Sequence, residues 1–142
     1  MEVQLRKTAE TTFLALALWR EARGESLDAK RGVACCILNR VKKPCWWGTD
    51  ILSVLFKKWQ FSSLTAPGDK QLTTYPTADD TQFEICMQIA RDAVNGSIMN
   101  PVPGADSYYD VSISAPVWAT SKTFVRQIGR IIFHNTDHDI EK

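Results

Sequence analysis

The chain has 142 residues, of which 44% are hydrophobic and 23% are charged. This composition is typical of one compact globular domain, and it excludes a disordered tail, a fibre and a mini-protein held together by disulfides. The 17 lysines and arginines nearly balance the 16 aspartates and glutamates, so the net charge is +1 and nucleic acid is not the expected partner. We predict a single domain over residues 1–142.

The first predicted helix covers residues 8–23, where apolar side chains recur at helical spacing. Gly24 follows, and a glycine there commonly ends a helix in the left-handed conformation. The longest apolar stretch, residues 13–19, is far shorter than the roughly 20 residues that span a bilayer, so no stable membrane insertion is expected. Glu10 lies just before this stretch, where a signal peptide would have no acidic residue, so we interpret the stretch as a core helix and not as a signal peptide. We therefore expect synthesis in a cytoplasm.

The second predicted helix begins after Ser26, a typical N-cap residue, and ends before Pro44. The four cysteines of the chain, two of them adjacent within this helix, form no Cys-x-x-Cys pair. Four cysteines permit three disulfide pairings, but buried, reduced thiols are the favoured interpretation.

Two further helices are predicted. Asp50 can cap a short helix over residues 51–56, and a long helix covers residues 80–95 before Gly96. Residues 57–78 between them are predicted to be a loop.

The last third of the chain has strand character. Residues 107–111 and 123–132 are rich in β-branched and aromatic side chains, and proline and glycine punctuate the segments around them. Helices followed by a small antiparallel sheet predict an α+β fold.

Glu21 is the strongest candidate for acid chemistry. It lies in the last turn of the first predicted helix, where the negative end of the helix dipole disfavours an ionised carboxylate. Cleavage of a glycosidic bond needs a carboxylic acid that protonates the leaving oxygen. The alternative is a surface glutamate paired with Arg20 or Arg23, and Glu25 is either a second carboxylate or a structural residue at the start of the next helix.

Other side chains suit a sugar-binding cleft. The Gln60 amide can bond a glycan hydroxyl or N-acetyl group, and Tyr108, Tyr109 and Trp118 can stack on sugar faces. Packing in the core is the alternative for each aromatic residue.

Metal and thiol chemistry are disfavoured. His134 and His138 with Asp137 and Asp139 form a metal-like cluster, but we interpret it as a polar tail and expect no metal or cofactor. A cysteine-based amidase would need a reactive thiol beside a histidine, and most cysteines here fall on predicted buried helix faces.

The motif Glu-Ala-Arg-Gly-Glu at 21–25, with Lys-Arg-Gly-Val-Ala at 30–34 and Ile-Leu-Asn-Arg-Val at 37–41, resembles the opening of the SleB-like cell wall hydrolases. That family is known from spore cortex-lytic enzymes and phage endolysins. The resemblance continues through residues 92–96 and 128–129, and through the following single residues: Gln60, Phe61, Ser62, Tyr108, Tyr109, Trp118 and Phe133.

The resemblance implies a lysozyme-like or transglycosylase-like domain that cleaves the glycan strand of bacterial peptidoglycan, with Glu21 as the catalytic acid. We predict substrate contacts by Gln60, Phe61, Ser62 and the aromatic residues already named. Arg20, Asp110 and Ile131 depart from the family pattern, which argues against the specialised substrate of the spore enzymes.

With no signal peptide expected, a phage endolysin is the favoured biological role. We expect it to be a monomer that is made in the host cytoplasm and reaches the wall through a separate holin-type factor. A non-catalytic glycan-binding module, and an amidase or peptidase acting on the stem peptide, remain as alternatives.

Overall fold

The structure is a computed structural model that describes residues 2–58 and 60–136. Within these residues the helices are α1 (Glu2–Ala22), α2 (Leu27–Lys42), α3 (Ile51–Leu55), α4 (Ser62–Thr65) and α5 (Thr81–Val94), with a 3-10 helix at Lys70–Thr73. The strands are β1 (Ser107–Asp110), β2 (Phe124–Ile128) and β3 (Ile131–His134). This arrangement confirms the predicted α+β fold.

The core lies between the long helices. Helix α1 packs along α5 and also contacts α2, and Leu14 and Leu18 of α1 are fully buried. Helix α1 begins at Glu2, earlier than predicted, because its first residues are exposed helix formers without the apolar periodicity on which the prediction relied.

The predicted N-caps are confirmed. The side chain of Ser26 accepts a hydrogen bond from the backbone N–H of Ala29 at the start of α2. Asp50 forms a reciprocal capping box with Ser53. Asp80, which was predicted only as the approximate start of the helix, also caps α5 by accepting from the Phe83 N–H. These caps satisfy N–H groups that have no partner inside the helix.

The two predicted glycine helix ends differ. Gly96 follows α5 with a φ of 78°, as expected for a left-handed C-terminal glycine. The prediction for Gly24 is wrong, because this residue is not among the glycines with positive φ. Helix α1 instead ends in a turn in which the Glu25 N–H donates to the carbonyl of Ala22 at 2.9 Å.

The predicted loop over residues 57–78 contains structure that the sequence did not indicate. Helix α4 and the 3-10 helix lie within it. Both are too short to show a hydrophobic period. The guanidinium of Arg20, which is buried, donates to the backbone carbonyls of Ser63, Leu72 and Thr74. One arginine of α1 thus holds this segment against the helical core.

The sheet is antiparallel in the order β1-β3-β2. The predicted strand over residues 123–132 is in fact two strands, because Gly129 adopts a φ of 58° and turns the chain between β2 and β3. A Cβ on Gly32 of α2 would lie 2.6 Å from the end of the Phe133 ring, so the absence of a side chain there lets β3 approach α2.

None of the described helices is long and apolar enough to cross a membrane. The four cysteines are free thiols, and Cys35, Cys36 and Cys86 are buried. Burial raises the pKa of Cys35 and of Cys86 to about 11.

Candidate active site

A cleft of about 800 Å³ lies where the C-terminal end of α1 meets β1. The segment before α4, part of α2 and the loop between β1 and β2 complete its walls. It brings together most of the predicted site residues, and its lining consists of Glu21, Arg40, Trp46, Gln60, Phe61, Ser107, Tyr108, Tyr109, Ile113, Pro116, Trp118 and Thr136.

Glu21 is half-buried in this cleft, in the last turn of α1. Its Oε1 accepts a hydrogen bond of 2.8 Å from the Tyr108 hydroxyl. Arg20 and Arg23 were the possible ion-pair partners of Glu21, and neither pairs with it within the described residues. Arg20 binds backbone carbonyls, and Arg23 donates to the Trp19 carbonyl and to Gln71 Oε1.

The Tyr108 hydroxyl is a stable donor to Glu21. Burial and the neighbouring Glu21 carboxylate raise the pKa of Tyr108 well above its ordinary value. The hydroxyl therefore keeps its proton throughout the neutral range. The Tyr108 ring packs against Phe133 of β3 with centroids 6.1 Å apart, which fixes its direction.

Arg40 of α2 is a site residue that the sequence analysis missed. Its side chain is buried, and its Nε donates to the Asp106 carbonyl at 2.6 Å. Its Nη1 donates to Gln60 Oε1 at 3.2 Å, and its guanidinium lies over the rings of Trp47 and Phe61. Burial lowers the pKa of this guanidinium from its ordinary value. A charged residue on the apolar face of the second predicted helix was the signal that could have identified it.

Aromatic side chains form one wall of the cleft. Tyr109 meets Trp118 edge to face with centroids 6.0 Å apart, and it stacks on His134 behind it. Trp46, which the sequence analysis did not assign to the site, is half-exposed at the cleft, whereas its neighbour Trp47 is buried. The cleft therefore offers several flat apolar faces of the kind that sugars stack on.

The interpretation of His134 as part of a polar tail is wrong. His134 ends β3 and is buried, and its Nδ1 lies 2.8 Å from Thr123 Oγ1. Burial lowers its pKa, which favours the neutral ring. The other members of the metal-like cluster, at 137–139, lie outside the described residues. In the described part of the chain no group of three potential metal ligands is found.

Two predicted site residues do not line the cleft. Ser62 is exposed at the start of α4. The Glu25 side chain lies towards the turn between β2 and β3. A methyl group built on Gly129, in that turn, would be 3.8 Å from Glu25 Oε1. The buried Lys30 holds this region by donating from Nζ to the Glu25 carbonyl.

Two solved structures resemble the fold of this chain. The solved catalytic domain of the germination-specific lytic transglycosylase SleB from Bacillus anthracis matches with a TM-score of 0.69 and 25% identity, over 89% of this chain and 93% of that one. The catalytic domain of the Bacillus cereus SleB protein gives the same TM-score and identity, over 89% of each chain.

The chain is also similar in sequence to curated spore cortex-lytic enzymes. A spore cortex-lytic enzyme of Halalkalibacterium halodurans is 33% identical over 87% of this chain and 34% of its own length. The spore cortex-lytic enzyme of Bacillus subtilis is 29% identical over 85% of this chain and 36% of its own length. The chain thus spans about a third of the length of these relatives.

The sequence model of the family described as Cell Wall Hydrolase matches residues 24–134. The matched range contains Gln60 and the cleft aromatics, and it starts just after Glu21. The chain belongs to the cell wall hydrolase family.

Proposed function

We propose that this protein cleaves the glycan strand of bacterial peptidoglycan, with Glu21 as the general acid. The observation that carries the proposal is the hydrogen bond of 2.8 Å between the Tyr108 hydroxyl and Glu21 Oε1 inside the aromatic cleft. Membership of the cell wall hydrolase family and the likeness to a lytic transglycosylase domain support the same chemistry.

The hydrogen bond assigns a role to each oxygen of the Glu21 carboxyl. Because Tyr108 donates to Oε1, the acidic proton belongs on Oε2. Oε2 delivers this proton to the glycosidic oxygen as the bond from the anomeric carbon to that oxygen breaks. The carboxylate that remains is held in place by the Tyr108 hydroxyl and can act as a base in the second step.

For the second step of the reaction, the carboxylates around the cleft favour the route of a lytic transglycosylase. In the described ranges, Glu21 is the one carboxylate that lines the cleft, and Glu25 lies towards Gly129. With no second carboxylate of these described ranges at the cleft to act as nucleophile, ionised Glu21 takes the proton of the substrate's own C6 hydroxyl, whose oxygen closes an anhydro ring on the anomeric carbon. Attack by water at the same point would give a reducing end and a lysozyme-like hydrolase.

The remaining cleft residues bind the glycan. Tyr109, Trp118 and the half-exposed Trp46 offer ring faces to sugars, and Gln60 offers an amide. Phe61 contributes through packing, because its ring is buried against the Arg40 guanidinium. Ser62 is exposed at the start of α4 beside them, and its contact with the glycan stays a prediction.

For the biological role we propose a phage endolysin that acts as a monomer. It would be made in the host cytoplasm and reach the wall after a separate holin-type factor opens the membrane. The departures at Arg20, Asp110 and Ile131 argue against the specialised substrate of the spore enzymes, which is compatible with this role. Host cells that express the protein should lyse when a holin or chloroform permeabilises the membrane, and lysis without either would contradict the role.

The proposed reaction is tested by mass spectrometry of purified peptidoglycan sacculi after digestion. Release of anhydro-muramyl fragments is the expected result, and reducing-end fragments would mean a hydrolase instead. Free stem peptides would indicate an amidase. If the protein sediments with sacculi but releases nothing, it is a glycan-binding module and the proposed reaction is wrong.

A further inference from the structure

The orientation of the Gln60 amide is fixed by its partner. Arg40 Nη1 donates to Gln60 Oε1 at 3.2 Å. A guanidinium carries only donors, so the amide must turn its oxygen towards Arg40 and its nitrogen away from it. The chemistry of the pair therefore decides which end of the amide is left for a ligand.

Arg40 is a rigid support for this orientation. The residue is only 7% exposed, and its Nε donates to the Asp106 carbonyl at 2.6 Å. Trp47 and Phe61 lie against its guanidinium, with ring centroids 5.3 and 5.5 Å from the central carbon. A side chain held on this many sides cannot swing away to let the Gln60 amide turn over.

The free end of the amide belongs to the cleft. Gln60 lines the same cleft as Glu21, and within residues 2–58 and 60–136 its Nε2 donates no hydrogen bond. Two N–H groups are thus available to a ligand. The positive charge of Arg40 polarises the amide, which strengthens these donors. The ligand atom that meets them must be an acceptor without a positive charge.

We propose that Gln60, held by Arg40, is a specificity-determining residue that donates to the carbonyl oxygen of a sugar N-acetyl group. An acetamido carbonyl is a strong, uncharged acceptor. A de-N-acetylated amino sugar offers an ammonium group there instead, which can only donate and is repelled by the nearby guanidinium. The protein therefore selects N-acetylated over de-N-acetylated glycan, and Arg40 acts as a positioning residue through Gln60. This inference rests on the proposed glycan substrate.

The variant Gln60→Glu tests the inference with little change in shape. The new carboxylate can still pair with Arg40, but both N–H donors are lost. Gln71→Glu is a matched control, because Gln71 Oε1 accepts from Arg23 Nη1 at 3.1 Å in the same manner but does not line the cleft. The substrates are sacculi in three forms: untreated, chemically de-N-acetylated, and de-N-acetylated then re-acetylated with acetic anhydride.

The parent and Gln71→Glu should release fragments from untreated and re-acetylated sacculi about 10- to 100-fold faster than from de-N-acetylated sacculi. Gln60→Glu should lose rate on the acetylated forms and most of this preference. A parental preference in Gln60→Glu, or no preference in the parent, would overturn the proposal. Gln60→Met serves as the second variant should the first fail to fold.

Sedimentation with the same three forms of sacculi separates this inference from the proposed reaction. A parent that releases no fragments but binds acetylated sacculi more tightly, with the difference lost in Gln60→Glu, would disprove the reaction and leave the inference standing. Equal binding of the parent to acetylated and de-N-acetylated sacculi would disprove the inference.

Discussion

Glu21 and Tyr108 come from distant parts of the chain, and a hydrogen bond of 2.8 Å joins their side chains. Glu21 lies in the last turn of α1, whereas Tyr108 lies in β1 with its ring against Phe133. Because the pKa of Tyr108 is raised by burial and by Glu21, the hydroxyl keeps its proton throughout the neutral range. Tyr108 thus holds the carboxyl group in one direction, as the two proposed proton transfers require.

Replacing Tyr108 by phenylalanine should lower the rate of glycan cleavage about 10-fold, because one hydrogen bond to a charged group is lost. The side chain of Glu21 stays in the cleft but is no longer fixed. The rate of muropeptide release at neutral pH measures the effect. Tyr75→Phe is the control, since Tyr75 is 67% exposed and does not line the cleft. Equal rates for the parent and Tyr108→Phe would contradict this role.

Tyr108 should also make the protein less stable in alkali. Its pKa is raised in the folded state, so its stabilising contribution is complete below the unfolded pKa of about 10 and is lost as pH rises above it. The stability advantage of the parent over Tyr108→Phe should therefore shrink between about pH 8 and about pH 11 in urea unfolding. A constant difference over this range would show that the pKa of Tyr108 is not raised by folding.

Among elements, the segment that holds α4 and the 3-10 helix depends on one side chain of α1. Arg20 donates to three carbonyls of this segment and also lies under the Tyr75 ring. The segment continues directly from Gln60 and Phe61, which line the cleft. Arg20 therefore supports one wall of the site, although it does not line the cleft itself.

The variant Arg20→Met should lower the free energy of unfolding by about 3 kcal/mol, because it leaves carbonyls without their donors. It should also speed tryptic cleavage at Lys70, in the 3-10 helix. Arg31→Met is the control, since Arg31 forms an exposed ion pair with Asp28, and its loss should cost under about 1 kcal/mol. Similar losses in the two variants, by urea unfolding, would refute the special role of Arg20.

The contact between α2 and β3 depends on a missing side chain. A Cβ on Gly32 would lie 2.6 Å from the Phe133 ring, which is fully buried, so any shift of the ring would disturb the packing around it. We expect Gly32→Ala to lower the free energy of unfolding by about 1–2 kcal/mol, because overpacking outweighs the gain in helix propensity.

For Gly24→Ala we expect no loss in the free energy of unfolding, in contrast to Gly32→Ala. Nothing lies within 4 Å of a Cβ at Gly24, and its φ is not positive. The free energy of unfolding should stay the same or rise by up to about 1 kcal/mol, because alanine restricts the unfolded chain. Thermal unfolding of both variants checks the pair, and a stabilised Gly32→Ala would show that the helix and the strand are not closely packed.

The sequence was sufficient to predict elements with a local signal. Ser26 and Asp50 marked helix starts because their side chains bond to backbone groups only a few residues away. Helix α4 gave no such signal, since one turn shows no period and Arg20 holds it from a distance. The turn at Gly129 was missed because β-branched residues continue on both sides of it.

For the whole molecule, the site exists only after the helices and the sheet have packed together. Glu21, Gln60 and the aromatic residues could be named from residue type and from the family resemblance. Their meeting in one cleft, and the placement of Glu25 towards Gly129, depend on contacts between elements that local sequence patterns do not encode. Arg40 was missed for the same reason, because its partners lie in the segment before α4 and beside β1.

The central claim is that Glu21 supplies the acid, and the direct measurement is the rate of muropeptide release by the parent, Glu21→Gln and Glu25→Gln. General acid catalysis commonly contributes about 100- to 10,000-fold, so Glu21→Gln should lose at least about 100-fold. Glu25→Gln should stay within about threefold of the parent, since its carboxyl group lies outside the cleft lining. A Glu21→Gln protein that is folded by circular dichroism and releases muropeptides as fast as the parent would contradict the account.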